Sequence, residues 1–468
     1  MKHITNVISI INVINVIAGL TRNPLKPMAV AFCLLFPIAS PAQKVWTLEE
    51  CIKQAQDFNI DIKQRELQIE TAEVDLHTSR MSRLPNLNAS IGDNVSMGRA
   101  QIDDGSATPR ITTQTTSNTS ASLGASMPIF TGFRISNEVA RDKLDVEAAY
   151  ENLNKAKEDL AINVTGQFLQ VLFSKETLKI NEEQLFLSKN QAEKTELMVN
   201  AGKVARAELS DVQAQVSKDQ VAVVEARNNL NLALLNLAQF LELDFTPDFD
   251  VAAPNAVQIT VQSEALTPPS MLYGEAVGIK PVIKEQEFRL QSAEKAISIA
   301  QSANLPTLGL DMGVSTSYFY TFDGVKNVPI AEQLKNRLNE YVGLSLQIPI
   351  FNRFATHNQI KKARINVESQ QFALDNAKKT LYKEIQTAYQ NALAAVEKYK
   401  ASEVAMRATE ESYRGATERY ETGKISIFEF NEAKTKWKQT QVDCVQTKYE
   451  YVFRTKILDF YANRPISL

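Results

Sequence analysis

Pro128-Ile129-Phe130-Thr131-Gly132-Phe133 and Pro349-Ile350-Phe351-Asn352-Arg353-Phe354 stand 221 residues apart, and each opens the same pattern. Gly202-Lys203 returns as Gly423-Lys424 at that offset. So do Leu84-Pro85 as Leu305-Pro306 and Ala72-Glu73 as Ala293-Glu294. One offset fits every anchor, so the chain is two copies of a unit of roughly 200 residues, far longer than a solenoid repeat. The spacing predicts a first repeat at 43–245, a linker at 246–269 placed as a belt around the middle, and a second repeat at 270–468.

Within each copy apolar residues climb a heptad ladder. Val139, Val146, Leu153 and Leu160 are seven apart, then a step of four reaches Val164, and sevens resume at Val171, Leu178, Leu185, Ala192 and Val199. The second copy gives Ile360, Val367, Leu374 and Leu381, the same step of four to Ile385, then Ala392, Tyr399, Met406, Tyr413 and Tyr420. Sevens coil a helix left-handed, and an inserted four unwinds it locally. A helix from Phe133 to Ala201 would be about 100 Å long at 1.5 Å per residue. Gly202 and Gly423 break these helices into hairpins. The returning helices carry Leu209, Val216, Val223, Leu230 and Leu237 in one copy, and Phe430, Trp437, Cys444, Tyr451 and Leu458 in the other. A third helix is expected in one piece from Thr47 to about Arg83. It and the returning helix would lie end to end along the long one.

After Leu84-Pro85 the charge vanishes and alternation of period two begins. Leu87, Ala89, Ile91, Val95 and Met97 read as one strand and Leu123, Ala125 and Met127 as a second, joined by a long polar loop around Asp103-Asp104-Gly105. The second copy repeats this with Leu308 to Val314 and Val342 to Ile348, joined by a loop from about Thr321 to Asn339. Aromatic residues flank the strands, with Phe130, Phe133, Phe351 and Phe354 at the helix junctions and Tyr318-Phe319-Tyr320 near the other end. Two aromatic girdles around an apolar band mark an outer-membrane barrel, and the smallest such barrels need about eight strands. Four strands cannot close, so several chains must.

The chain start agrees with export. Arg22 and Lys26 precede an apolar run from Met28 to Phe36 and small residues to Ala42, the order of a secretory leader, giving a leader and signal peptide over 1–42. Met28 would serve as an alternative initiator, and Phe32 before Cys33 argues against lipidation. Beyond Ala42 no run approaches the ~20 apolar residues of a membrane helix. With 51 basic and 54 acidic residues there is no nucleic-acid footprint. Cys51 and Cys444 lack metal spacing and His77 and His357 stand alone, so no metal, cofactor or catalytic constellation is expected.

The leader, the duplicated strand-strand-helix-helix unit, the Pro-Ile-Phe at each strand end and the Tyr-x-x-Gly from Tyr420 to Gly423 resemble the TolC family of outer-membrane efflux proteins. The resemblance spans the chain after Ala42. It implies a mainly α fold with a β-barrel portion: a homotrimer whose twelve strands make a transmembrane barrel in outer-membrane lipid and whose helical hairpins make a periplasmic α-barrel. It also implies partners, a periplasmic adaptor (membrane fusion protein) and an inner-membrane transporter, docking on the tips at Gly202, Lys203 and Gly423. The competing class is a periplasmic coiled-coil scaffold outside the membrane.

Past each tip glycine the returning helix places acids at plus six and plus nine, Glu208 and Asp211, then Glu429 and Glu432, each pair on one helix face. The resemblance makes Glu429 and Glu432 a ring at the periplasmic mouth, where crowded carboxylates raise some pKa values. It makes Tyr420 a gate tyrosine whose hydroxyl bonds Glu208. The family's gate arginine is replaced by Ile425, leaving Lys424 or Arg206 to complete the lock.

Overall fold

The computed structural model describes residues 45–102, 110–244, 249–252, 267–322 and 327–464. The leader, the Asp103-Asp104-Gly105 turn and most of the 246–269 linker lie outside them.

The duplication is exact in length. Helix α3 (Arg134–Asn200) and its counterpart α8 (Ala355–Glu421) each have 67 residues. The returning helices α4 (Arg206–Phe240) and α9 (Ile427–Tyr461) each have 35. Both hairpins turn through a glycine with positive φ, 70° at Gly202 and 69° at Gly423. At each, the amide three residues past the helix end reaches back: Lys203 donates to the Met198 carbonyl and Lys424 to that of Arg419, both at 2.9 Å. This paired closure of the last turn needs the left-handed residue that glycine supplies without strain.

The expected single helix over 47–83 is two, α1 (Leu48–Phe58) and α2 (Ile60–Met81). Asn59 breaks it because its backbone is extended (ψ 133°) and its side chain caps α2 at the Asp61 amide, 3.0 Å away. The same side chain donates to the Phe240 carbonyl at the end of α4. In the second copy α5 (Pro269–Ala276) and α6 (Pro281–Ser302) repeat the break, and Lys280 donates to the Phe460 carbonyl at 3.0 Å. The helices beside each long one therefore meet end to end where its ladder steps by four. Leu160 with Val164, and Leu381 with Ile385, are buried there and anchor the two apolar clusters. A four-residue step turns two successive ladder residues to one side, widening the apolar face where two helix ends must be covered. Strand β1 (Val45–Trp46) pairs in parallel with β4 (Asp250–Val251) at this level. Cys51 and Cys444 are both buried.

The four long strands form one antiparallel sheet. β2 (Asn86–Ile102) pairs with β3 (Arg110–Phe130), β3 with β5 (Thr307–Thr321), and β5 with β6 (Asn339–Gln347). The polar stretch expected as a loop is mostly strand. Its Ser and Thr side chains bond across the ladder, as Ser90 does to Ser122 at 2.7 Å, and β-branched threonine suits a pleated surface. The second expected loop contains a short helix, α7 (Ile330–Asn336). There Gln333 accepts from the Phe319 amide and donates to its carbonyl, and Asn327 does the same at Thr321. Two amide side chains thus replace the strand partner that β5 lacks beyond the start of β6.

Registers align one face. Leu87, Ile91 and Val95 stand with Leu123 and Met127, with Leu310, Met312 and Val314, and with Val342, Leu344 and Leu346. The opposite face carries mostly Asn, Ser, Thr and Gly, with Asp311, Phe319 and Tyr341, while Asp93, bonded by Ser117 and Thr119, stands on the apolar face. From Leu308 to Tyr318 the strand rises about 33 Å, or ~25 Å of height at the usual barrel tilt. At its helix end lie Phe130 and Phe133, edge to face at 5.3 Å, and Phe351 and Phe354 likewise at 5.7 Å; at its other end lie Tyr318, Phe319 and Tyr320. Among the described residues the outer edges of β2 and β6 pair with no strand. Among the described residues no helix is long and apolar enough to cross a membrane.

Candidate functional site

The hairpin tips bring the two copies together through one short bond, from the Tyr420 hydroxyl at the end of α8 to the Glu208 carboxylate in the first turn of α4, 2.8 Å. Phe430 stacks on the Tyr420 ring at 5.0 Å and is itself buried. Burial, then the bond to Glu208, pushes the phenol up to about 12. It therefore remains a donor at every physiological pH.

The other carboxylates are placed differently. Glu429 turns back on its own helix, accepting from the Ser426 amide at 2.9 Å and hydroxyl at 3.1 Å while the Ser426 hydroxyl accepts from the Glu429 amide. Serine followed three residues later by glutamate is a capping box, and it satisfies two otherwise orphaned amides. Those bonds hold the Glu429 carboxyl below its usual range, opposite to the rise expected from crowding, because a single chain supplies hydrogen bonds and no like-charged neighbour. Asp211 and Glu432 line one groove of about 740 Å³ between α4 and α9, together with Lys218, Phe428 and Asn431.

Among the described residues Lys424 and Arg206 make no ion pair, and Lys203 makes none either. The charged link at this level is instead Lys194 to Glu421, 3.4 Å, with both side chains exposed. Such a pair is worth at most about 1 kcal/mol. It escaped sequence reasoning because neither residue lies on a ladder position.

Further from the tip is a cluster that the ladders did not suggest. Lys434 of α9 is buried and donates to the Gln184 carbonyl (3.2 Å), to the Ser188 hydroxyl and to Asp219 of α4 (3.4 Å). Ser188 also donates to Asp219, and Lys438 and Gln215 reach its other oxygen. Burial pushes the Lys434 ammonium below the usual lysine range, and Asp219 opposes that shift. The signal was present but unread: Ser174, Asn181, Ser188 and Thr195 are seven apart on α3 and all buried. A polar heptad marks the seam facing the second copy.

Nothing at the tips has the geometry of catalysis, and among the described residues no cluster of His, Cys, Asp or Glu could hold a metal. What the tips present is four carboxylates, two of them held by hydrogen bonds and two facing one groove.

Known proteins share this fold. TolC of Escherichia coli K12 is 24% identical over 300 residues, covering 63% of this chain and 59% of that protein. CyaE of Bordetella pertussis is 24% identical over 281 residues, covering 60% of this chain and 57% of CyaE. The chain thus spans less than two thirds of the length of these relatives. Among solved structures the fold is similar to CusC, TM-score 0.73 at 18% identity, covering 95% of this chain and 98% of that one. It is also similar to the Campylobacter jejuni CmeC outer membrane channel, TM-score 0.69 at 18% identity, covering 88% and 84%. The family described as Outer membrane efflux protein matches residues 51–241 and 272–461, one block per repeat, and the chain belongs to that family.

Proposed function

We propose that this protein is the outer-membrane exit duct of a tripartite efflux or type I secretion system, passively conducting substrates across periplasm and outer membrane. The observation that carries this is the sheet: four strands, two unpaired edges, one apolar and one polar face, continuing into 67-residue helices. A barrel spanning lipid must leave no open edge, and four strands close only with other copies. Three chains give twelve strands over a twelve-helix tunnel, with the repeats at 43–245 and 270–468 flanking a belt at 246–269. An adaptor and an inner-membrane pump engage the tips around Gly202, Lys203 and Gly423. Docking favours the open state by differential contact, and the Tyr420–Glu208 bond is the contact that opening must break. In the trimer Glu429 and Glu432 of three chains narrow the mouth, and Glu208 and Asp211 stand behind them.

The test is reconstitution in planar bilayers after purification in mild detergent. A trimer with steady, cation-selective conductance is expected. Exchanging Glu429→Ala together with Glu432→Ala should abolish cation selectivity and block by multivalent cations; unchanged selectivity rejects the ring. Recovery in the soluble periplasm instead of the sarkosyl-insoluble membrane would reject the duct.

A further inference from the structure

Along the polar face of the sheet two aromatic side chains stand among the Asn, Ser, Thr and Gly, Phe319 near the outer end and Tyr341 on β6. We propose that Tyr341 sets the clearance of the barrel's bore, and that Gly313 and Gly124 are the seat that keeps its ring flat against the wall. The inference rests on the barrel reading above, in which the polar face lines the bore, and names the residues that decide how wide that bore is.

Register places the three residues in one row. Asn88 of β2 faces Gly124 of β3, Gly124 faces Gly313 of β5, and Gly313 faces Tyr341. Glycine weakens a strand interior, and two side by side mark a place that something else approaches closely. Here it is the ring. A Cβ added to Gly313 would lie 2.8 Å from a Tyr341 ring carbon and 2.9 Å from its hydroxyl oxygen, inside van der Waals contact. One added to Gly124, a strand further on, would lie 3.9 Å from that same hydroxyl. The ring therefore runs along the row, covering Gly313 and ending beside Gly124, instead of standing off the sheet. An aromatic side chain laid over a cross-strand glycine also shields the backbone that the glycine leaves bare.

The first copy has the same glycine and no ring. Gly92 and Ser120, the counterparts of Gly313 and Tyr341, face each other in the same way, yet a Cβ on Gly92 would meet nothing nearer than the Ser120 hydroxyl, 4.0 Å away. Crowding follows the tyrosine. Each chain thus supplies one large, half-exposed side chain to the middle of the bore, where the rows on either side carry Ser122 with Ser315, and Ser126 with Asp311. Strand side chains ordinarily stand perpendicular to the sheet. Without its seat the ring would project inward, and the copies around the barrel would narrow the bore together.

The test labels single cysteines in the bore from outside whole cells, in full-length protein with Cys33→Ala, Cys51→Ala and Cys444→Ala, using a polyethylene-glycol maleimide too large for general porins. Ser126→Cys lies one row nearer the helices than Tyr341, and Ser120→Cys two rows nearer the outside. Both should react. Gly313→Ala should at least halve the rate at Ser126→Cys and leave Ser120→Cys unchanged, and Tyr341→Ser added to it should restore the rate. Gly124→Leu, whose backbone has room for a Cβ, should do the same, and it carries the test if Gly313→Ala, crowded at 3.0 Å by the Leu123 carbonyl oxygen, fails to insert. Tyr341→Ser alone should leave both rates unchanged; a faster Ser126→Cys would mean that the ring already stands in the bore. That result, no loss in either inserted glycine variant, or a loss that Tyr341→Ser does not restore, overturns the seat while leaving the duct intact. A Ser120→Cys that never reacts in inserted protein overturns the barrel reading itself.

Discussion

The middle of α3 buries mostly hydrocarbon, and its tip-proximal third buries hydroxyls and amides. Near the ladder's step of four, Val164, Phe168 and Val171 are buried with Leu237 and Leu241 in one apolar cluster. Toward the tip, the buried positions are Ser188 and Thr195, and the partner across the seam is Lys434. Apolar burial is strong and indifferent to direction, so it holds the helix junction together. A polar seam depends on geometry, is costly when half satisfied, and can exchange its partners for water once separated. The difference teaches where the molecule can part, namely at the end where a gate is proposed.

Five variants would sharpen or break that contrast. Phe168→Ala, in the apolar middle of α3, should cost about 3–5 kcal/mol and lower the global melting temperature; a change confined to the tip would contradict the division. Lys434→Ala leaves Asp219, toward the tip, with Lys438 at 3.7 Å as its one remaining cation and should cost about 3 kcal/mol, seen as faster hydrogen exchange in both hairpins without loss of the junction. Lys434→Met with Asp219→Leu should recover only part of it, since Lys438, Gln215 and Ser188 then lose their acceptor. Tyr420→Phe removes a bond to a charged acceptor and should cost about 2 kcal/mol, read as a higher open probability in bilayers. Ser426→Ala removes one cap and should cost about 1 kcal/mol, read as fraying of the first turn of α9.

Two pH dependences separate the last two contacts. The Tyr420 phenol is raised above its ordinary value of 10, so its stabilisation is complete below pH 10 and is lost as pH rises through about 12. Glu429 is lowered below 4.5, so its stabilisation is present above that value and is lost as pH falls through its depressed pKa. Alkaline opening should vanish in Tyr420→Phe, and acid fraying in Glu429→Gln, each followed by hydrogen exchange at the tips.

Much of this was legible in the sequence because duplication repeats every signal. Both 67-residue helices, both tip glycines and the four apolar strand faces follow from periodicity and one offset. The strand over Arg110–Ala121 was not legible, since a stretch with few apolar residues carries no alternation of hydrophobicity, only of hydroxyl against hydroxyl. The break at Asn59 was hidden because asparagine interrupts a helix only where a tertiary acceptor, here the Phe240 carbonyl, rewards the extended backbone. Helix α7 was hidden because its role is to present Gln333 to an unpaired strand edge. Lys434 and Asp219 lie 215 residues apart, in different copies, and no local pattern couples them. Tyr420 and Glu208 are as far apart but came into view through a family motif.

Both hairpins share one length to the residue, 67 out and 35 back. A deletion of one turn in a single copy would leave its tip about 5 Å short of its twin, so that a docking partner would meet a tilted rim. Length changes can therefore be inherited only in matched pairs, and the duplicated gene acts as its own ruler.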